Sequence, residues 1–368
     1  MTDLCARTYE MFKRVVISAV ALFLSFSALA QSERLYLDTD LNFDFDNTEY
    51  SGSGLGSSET LFGISLMPAL RFEWNERHNI GFGVNMQKLF GSTHFLDKID
   101  LVAYYQFRNE KYGAVAGLFR REKLIGRYTE AFFSNAYLAD NRLVQGLALQ
   151  YHNKVGFAEL VADWNGMYSL ETREQFRILF SGEGRFAKVM YAGTSAAMQH
   201  YANRADFSHN VVDNITINPY LGVDFNAFFD FDIRLGYLQS LQRDRVTGGG
   251  WQTPYGTELY FRMSRWGVFI SNNIYVGRNL QPLYHSVGKE GTIYGADLYA
   301  SDPFYGTTTG IYNRTGIGYE RNFWKERIKV KAEFALKTDG KKLYNQQIIS
   351  LAVNLAPKLY DKANKRTK

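Results

Sequence analysis

The chain has 368 residues, of which 46% are hydrophobic, 16% aromatic and 21% charged, and its formal net charge is +5. This length would allow two ordinary domains, yet no composition shift or Pro/Ser-rich linker divides the chain. The only cysteine, Cys5, precedes the expected mature start, which excludes a disulfide framework and cysteine metal sites. No basic face with a nucleic-acid-binding fold is indicated, so nucleic acid is not an expected partner.

The N-terminus has the pattern of an export signal. Lys13 and Arg14 form a basic region, residues 15–26 are apolar, and Ala28-Leu29-Ala30 supplies small residues for cleavage. We therefore predict that residues 1–30 are an N-terminal extension and signal peptide, cleaved near Ala30, with Met1 or Met11 as initiator. The apolar run is shorter than the roughly twenty residues of a transmembrane helix.

The first mature segment alternates between apolar and polar residues. In residues 35–46, the Leu and Phe residues are at odd-numbered positions. The even-numbered positions carry Asp38, Asp40, Asp44 and Asp46. A period of two predicts an extended strand with two different faces. Because unpaired buried charges are costly, the acidic face must meet water and the apolar face must meet lipid or another sheet.

The same alternation recurs along the chain. We predict about sixteen strands, near residues 33–46, 60–74, 79–90, 97–108, 111–121, 142–152, 155–165, 173–181, 185–199, 214–226, 229–242, 257–265, 266–278, 309–321, 326–338 and 344–356. Short connections alternate with long ones, as in outer-membrane barrels, where the short turns face the periplasm. A soluble propeller should show a repeat of roughly forty residues, and none is found.

These patterns predict one all-β domain over residues 31–356. It would be a closed, transmembrane, antiparallel up-and-down β-barrel of about sixteen strands, integral to the outer membrane. A basic C-terminal tail would follow at residues 357–368. The five tryptophans all fall at strand ends on this map, as aromatic girdles require.

Several segments resemble an uncharacterised family of Gram-negative outer-membrane β-barrels. They are Leu35-Tyr36-Leu37-Asp38-Thr39-Asp40, Leu124-Ile125-Gly126-Arg127-Tyr128, Gln242-Arg243-Asp244-Arg245 and Ile311-Tyr312-Asn313-Arg314-Thr315. More widely, the chain is similar to sixteen-stranded general porins. The resemblance implies fold and location only. Porin-like barrels end on an aromatic residue in the last strand, whereas here that strand is expected to end near Leu355.

Charged residues on the inner face are the first candidates for function. Barrel closure would bring the acids of 38–46 toward basic residues of the strand before the last. The expected pore-lining residues are Asp38, Asp40, Asp44, Asp46, Arg327, Lys329, Lys331 and Lys337. Such charges set ion selectivity in a pore or pair with one another. A calcium loop is disfavoured, since Phe43 stands where that loop needs Gly.

The third long loop, residues 122–141, is too apolar to lie in water. We predict that it folds into the barrel as a constriction, with positive charge from Arg120, Arg121, Lys123 and Arg127, or covers the mouth as a lid.

Enzyme signals in the sequence are poor. Two adjacent pairs, Ser208-His209 and His285-Ser286, are the candidates for hydrolytic chemistry, and sequence adjacency does not make a base–nucleophile pair. We therefore predict a porin-like channel for small hydrophilic solutes that is not an enzyme and has no metal or cofactor. The alternatives are a barrel enzyme acting on lipid or lipopolysaccharide, and a structural barrel with a plugged lumen. Outer-membrane lipid and lipopolysaccharide, the barrel-assembly machinery and the solutes are the expected partners.

Overall fold

The computed structural model describes residues 32–50, 58–206, 208, 210–246, 249–289, 291–306 and 310–362. The predicted signal peptide, His209 and the last six residues of the expected tail lie outside this part of the chain.

The described residues form antiparallel strands joined mostly by tight turns at one end. The strands are β1 (Glu33–Glu49), β2 (Glu59–Trp74), β3 (His78–Leu89), β4 (Lys98–Arg108), β5 (Tyr112–Arg120), β6 (Leu143–His152), β7 (Gly156–Gly166), β8 (Gln175–Arg185), β9 (Met190–Tyr201), β10 (Val212–Asn226), β11 (Asp230–Asp244), β12 (Tyr255–Arg265), β13 (Val268–Gly277), β14 (Gly310–Phe323), β15 (Ile328–Thr338), β16 (Leu343–Leu355) and β17 (Lys358–Lys362). Two short helices, α1 (Asn135–Asp140) and α2 (Gly295–Leu298), and two 3₁₀ turns, Arg121–Lys123 and Pro303–Gly306, lie in the long loops.

The sheet closes on itself. From β1 to β16 each strand pairs with its neighbour in sequence, and β1 also pairs with β16 over the register Thr39↔Leu355 to Glu49↔Asn345. This confirms the predicted closed, antiparallel barrel of sixteen strands. No helix among the described residues is long and apolar enough to cross a membrane.

The last strand is longer than the sequence pattern predicts. After Ala356 and Pro357 the chain resumes as β17, which pairs with residues 33–36 of β1. β16 and β17 together therefore form one interrupted strand, and residues 358–362 of the expected tail belong to it.

The two faces of the barrel wall differ as the alternation predicts. On β1, Asp38, Asp40 and Asp46 are buried on the inner face. Large apolar side chains stand exposed on the outer face at Leu70, Phe82, Leu101, Leu149, Leu235 and Ile311. A continuous exposed apolar band of this kind is stable only against lipid.

Tyrosine rings cover glycines on the inner face of the wall. A Cβ built on Gly222 would lie 2.2 Å from Cζ of Tyr191, a fully buried side chain of the neighbouring strand. Gly256 and Tyr275 repeat this arrangement, with 2.3 Å between the built Cβ and the ring. These positions need glycine because the ring occupies the space of a side chain.

Candidate functional site

Two long loops fold into the barrel and meet there. We call residues 121–142 and the described residues 278–289 and 291–306 the inner loops. The backbone N–H of Ser134 donates to the carbonyl of Ala300 at 2.7 Å, and that of Asp302 donates to the carbonyl of Glu130 at 2.9 Å. Their buried aromatic side chains form the core of the molecule inside the barrel, at Phe132, Phe133, Phe304 and Tyr305.

A buried charge network, the inner-loop network, anchors both inner loops to the wall. Lys337 Nζ of β15 donates to Asp302 Oδ2 at 2.7 Å. Arg314 of β14 lies 2.7 Å from Glu333 and 3.4 Å from Glu130. Burial alone would raise the pKa of Asp302, but Lys337 beside it outweighs burial and holds that pKa below its ordinary value. Each inner loop thus has one carboxylate, Glu130 or Asp302, that pairs with a basic side chain of the barrel wall.

The predicted pore-lining acids of β1 pair with arginines. Arg71 Nε donates to Asp38 at 2.7 Å, Arg120 pairs with Asp40, and Arg142 pairs with Asp44. Asp46 instead accepts from the amide of Gln346 at 2.8 and 2.9 Å.

The predicted basic residues of β15 have other partners. Lys329 pairs with Glu320 at 2.8 Å, Lys331 with Glu333 at 2.9 Å and Lys337 with Asp302. Arg327 lies over the ring of Trp324 at 5.2 Å, in a short turn. The structure therefore does not join these residues to the acids of β1. β16 lies between the two strands, and arginines from β2, β5 and the inner loop 121–142 pair with three of those acids.

The predicted constriction residues are also paired. Arg120 binds Asp40, Arg121 lies 2.8 Å from Asp163, and Arg127 lies 2.9 Å from Glu183. Lys123 donates to the Gln106 amide oxygen at 2.8 Å. Burial, with Arg120 and Arg71 nearby, lowers the pKa of Lys123 to about 7, so this lysine carries only part of its charge at neutral pH.

A second group of charged residues lies on the outer face, and we call it the rim site: His200, Asp213, Arg243 and Arg245. His200 Nδ1 lies 3.2 Å from Asp213 Oδ1. The same carboxylate accepts from Arg243 at 3.2 Å and from Arg245 at 2.7 and 2.8 Å. Side-chain exposure is 15% for His200, 7% for Asp213, 35% for Arg243 and 51% for Arg245.

Strand register fixes the position of the rim site. His200 on β9 is opposite Asp213 on β10, and Asp213 is opposite Arg243 on β11. The alternation of burial places all three on the outer face, at the end of the strands that carries the long loops. Two residues further along each strand, the same face carries the apolar row Ile178, Met198, Ile215 and Leu241. The rim site therefore borders the apolar band.

Aromatic rings flank the rim site. Phe176 stacks on His200 at 5.1 Å and on Trp164 at 5.0 Å, and Arg243 lies over Trp251 at 4.7 Å. Amphipathic aromatics are typical of the boundary between lipid and water.

The arrangement is suited to proton transfer. A carboxylate bound to Nδ1 orients the imidazole and favours the tautomer whose Nε2 accepts a proton. No hydrogen bond to Nε2 of His200 is found within the described part of the chain. The two arginines place more positive than negative charge beside the ring, which suits an anionic group or a developing oxyanion.

Sequence reasoning missed the rim site because it placed residues 200–213 in a loop. The structure extends β9 to Tyr201 and begins β10 at Val212, so His200 and Asp213 become directly paired residues. The available signal was the alternation within each strand, which puts His200 on the same face as Met198 and Asp213 on the same face as Ile215. Of the pairs that were considered, His209 lies outside the described residues, and His285 is exposed against the ring of Tyr284.

These features define a class of protein: a sixteen-stranded barrel whose interior is occupied by its own loops and whose outer rim carries a His–Asp pair. A loop-deletion mutant of OmpT, an outer membrane protein of Vibrio cholerae, has a similar fold, with a TM-score of 0.54, 9% identity, and coverage of 88% of this chain and 99% of that one. OprD from Pseudomonas aeruginosa gives a TM-score of 0.49 at 10% identity, with 89% of this chain and 94% of that chain covered. No curated protein sequence matches the chain.

The family model for "Lipid A 3'-O-deacylase-type" proteins matches residues 28–288, and the chain belongs to this family. The prediction that the chain is not an enzyme is therefore wrong, because the family is one of enzymes. The sequence pattern could not reveal this, since its hydrolytic candidates were limited to adjacent residues. The rim site lies inside the matched region.

Proposed function

We propose that this protein is an outer-membrane hydrolase that removes an acyl chain from a glycolipid of the lipid A class, with the rim site as its catalytic centre. The observation that carries the proposal is the His200–Asp213 pair on the outer face, next to the apolar band. A membrane lipid can reach this position from the bilayer with its acyl chains against the apolar row and its headgroup at the rim. The family match supports the reaction class.

In the proposed reaction, Nε2 of His200 takes a proton from water as the water oxygen attacks the ester carbonyl carbon. Negative charge develops on the carbonyl oxygen, and Arg243 or Arg245 stabilises it. The ester C–O bond then breaks, and His200 returns the proton to the departing alkoxide. The products are a free fatty acid and a hydroxyl on the sugar. Asp213 keeps the imidazole oriented and stabilises its protonated form.

The test uses full-length protein in vesicles that contain lipid A, with release of free fatty acid as the readout. His200→Asn should lower the rate by about 10²- to 10⁴-fold, the usual contribution of a general base. His78→Asn is the matched control, because His78 is also stacked on an aromatic ring, Trp74, but at the short-turn end of the barrel. The control should keep the wild-type rate.

Two results would contradict the proposal. One is hydrolysis that is unaffected by His200→Asn, which would place the chemistry elsewhere in the barrel. The other is wild-type protein that releases no fatty acid yet gives stepwise conductance in planar bilayers, which would favour the porin-like channel.

A further inference from the structure

A cavity of about 30 Å³ lies inside the barrel between the inner loops and the wall formed by β8, β9 and β10. Its lining includes Phe132 and Phe133 from one inner loop, Tyr299 and Ser301 from the other, and polar side chains from the wall. That volume holds roughly two water-sized species.

The wall of this cavity carries a cation without an anionic partner. Arg177 is 4% exposed, its Nε donates to the Gln199 amide oxygen at 3.1 Å, and another nitrogen bonds the Tyr137 hydroxyl. Both partners are neutral. Within the described part of the chain Arg177 forms no ion pair.

The nearest candidate for an anionic partner is already in use. Asp163 is opposite Arg177 in the pairing of β7 with β8, but its carboxylate accepts from Arg121 at 2.8 Å and from the Gln145 backbone at 3.1 Å. Arg121 also lies beside the Tyr137 ring that Arg177 contacts. Asp163 therefore pairs with Arg121, and the buried guanidinium of Arg177 is left without a compensating charge in a place where that is costly.

Three polar atoms of residues that line the cavity are also unsatisfied. Nε2 of Gln199, Oδ1 of Asn214 and Oε1 of Gln281 are buried without a hydrogen-bond partner. Of these three, the Gln199 amide N–H can donate to an anion, whereas the two oxygens accept and need a donor such as water. Buried polar groups normally have partners, so a missing one points to a species bound in the cavity.

We propose that this cavity binds a small monovalent inorganic anion of chloride size, held by the guanidinium of Arg177 and the amide N–H of Gln199. The positive charge favours an anion over water or a cation, and the cavity volume limits the bound species to about the size of two water molecules. The anion completes the interior packing of both inner loops, and this role does not depend on hydrolysis at the rim site.

The experiment uses bromide as the probe, because its anomalous scattering distinguishes it from water. Full-length protein is crystallised with bromide as the only halide. An anomalous peak within hydrogen-bond reach of Arg177 is expected in the wild type. It should disappear in Arg177→Met and persist in Arg127→Met, since Arg127 is an inner-loop arginine that has Glu183 as its partner.

Melting temperature supplies a second readout that works if Arg177→Met does not crystallise. At constant ionic strength, replacing gluconate with bromide should raise Tm of the wild type and of Arg127→Met, and should leave Tm of Arg177→Met unchanged. A cavity that holds only water in the wild-type crystal, or an equal bromide shift in all three proteins, would overturn the proposal.

Discussion

The inner-loop network and the rim site are both built from carboxylates and basic side chains, but the charges are balanced in one and unbalanced in the other. In the network, Arg314, Lys331 and Lys337 face the carboxylates of Glu130, Glu333 and Asp302, so cations and anions balance. At the rim, three basic side chains converge on one carboxylate, Asp213, and Arg245 is half exposed. Balanced, desolvated charges fix the position of loops. Unbalanced charges at a surface stay available for a ligand.

Breaking the balanced network should have the largest effect on stability. Lys337→Met leaves the buried Asp302 carboxylate without its cation, and the expected loss in the free energy of unfolding is about 3–5 kcal/mol. Lys329→Met is the control, because Lys329 is half exposed in its pair with Glu320 and should cost at most about 1 kcal/mol. Denaturant titration in lipid vesicles, followed by tryptophan fluorescence, measures both. Equal costs would show that the network does not hold the inner loops.

A substitution at Gly222, in the same barrel wall, tests the contribution of packing to stability without changing any charge. Gly222→Ala places a Cβ against the buried ring of Tyr191, and overpacking of this kind costs about 1–3 kcal/mol. Gly184→Ala is the control, since nothing lies within 4 Å of a Cβ built there. Denaturant titration in lipid vesicles measures the free energy of unfolding of both variants. A neutral Gly222→Ala would mean that the tyrosine can move aside.

The pH dependence of the network follows from the lowered pKa of Asp302. A depressed carboxyl pKa adds stability above the pKa of the unfolded state, about 3.9, and that stability is lost as pH falls through the folded-state pKa. The difference in stability between wild type and Lys337→Met should therefore be full at pH 7 and smaller at pH 3. A difference that does not change with pH would assign the effect of Lys337 to packing.

The smallest effect on stability is expected at the rim. Arg245→Gln should change the free energy of unfolding by less than about 1 kcal/mol, because the side chain is half exposed. It should nevertheless lower kcat/KM for lipid A, because a positive charge beside the proposed oxyanion is lost. Arg204→Gln is the control, since Arg204 forms a comparable exposed pair with Asp206 in the adjacent loop. Unchanged kinetics in Arg245→Gln would show that this arginine has no part in the proposed reaction.

The sequence predicts the barrel because apolar and polar side chains alternate with a period of two, and this alternation shows which face of each strand is turned inward. The strand count, the closure of β1 against the last strand and the inward direction of Asp38 and Asp46 all follow from that period. The partners across the lumen do not, because they depend on barrel circumference, stagger and the path of the inner loops. Asp40 meets Arg120 and Lys337 meets Asp302 for this reason, and neither pair has a signature in the spacing.

The seam between β1 and the final strand also sets the order in which the molecule can assemble. Glu49 pairs with Asn345 and Leu35 with Tyr360, so hydrogen bonds at the seam join the two ends of the chain. Until the last strand arrives, β1 and β15 are open edges able to pair with another chain. Contacts this distant in sequence form slowly. The seam has two registers, residues 39–49 against β16 and residues 33–36 against β17, and the N–H of Leu37 donates to the Pro357 carbonyl at 3.1 Å between them, so a complete closure needs both parts of the final strand.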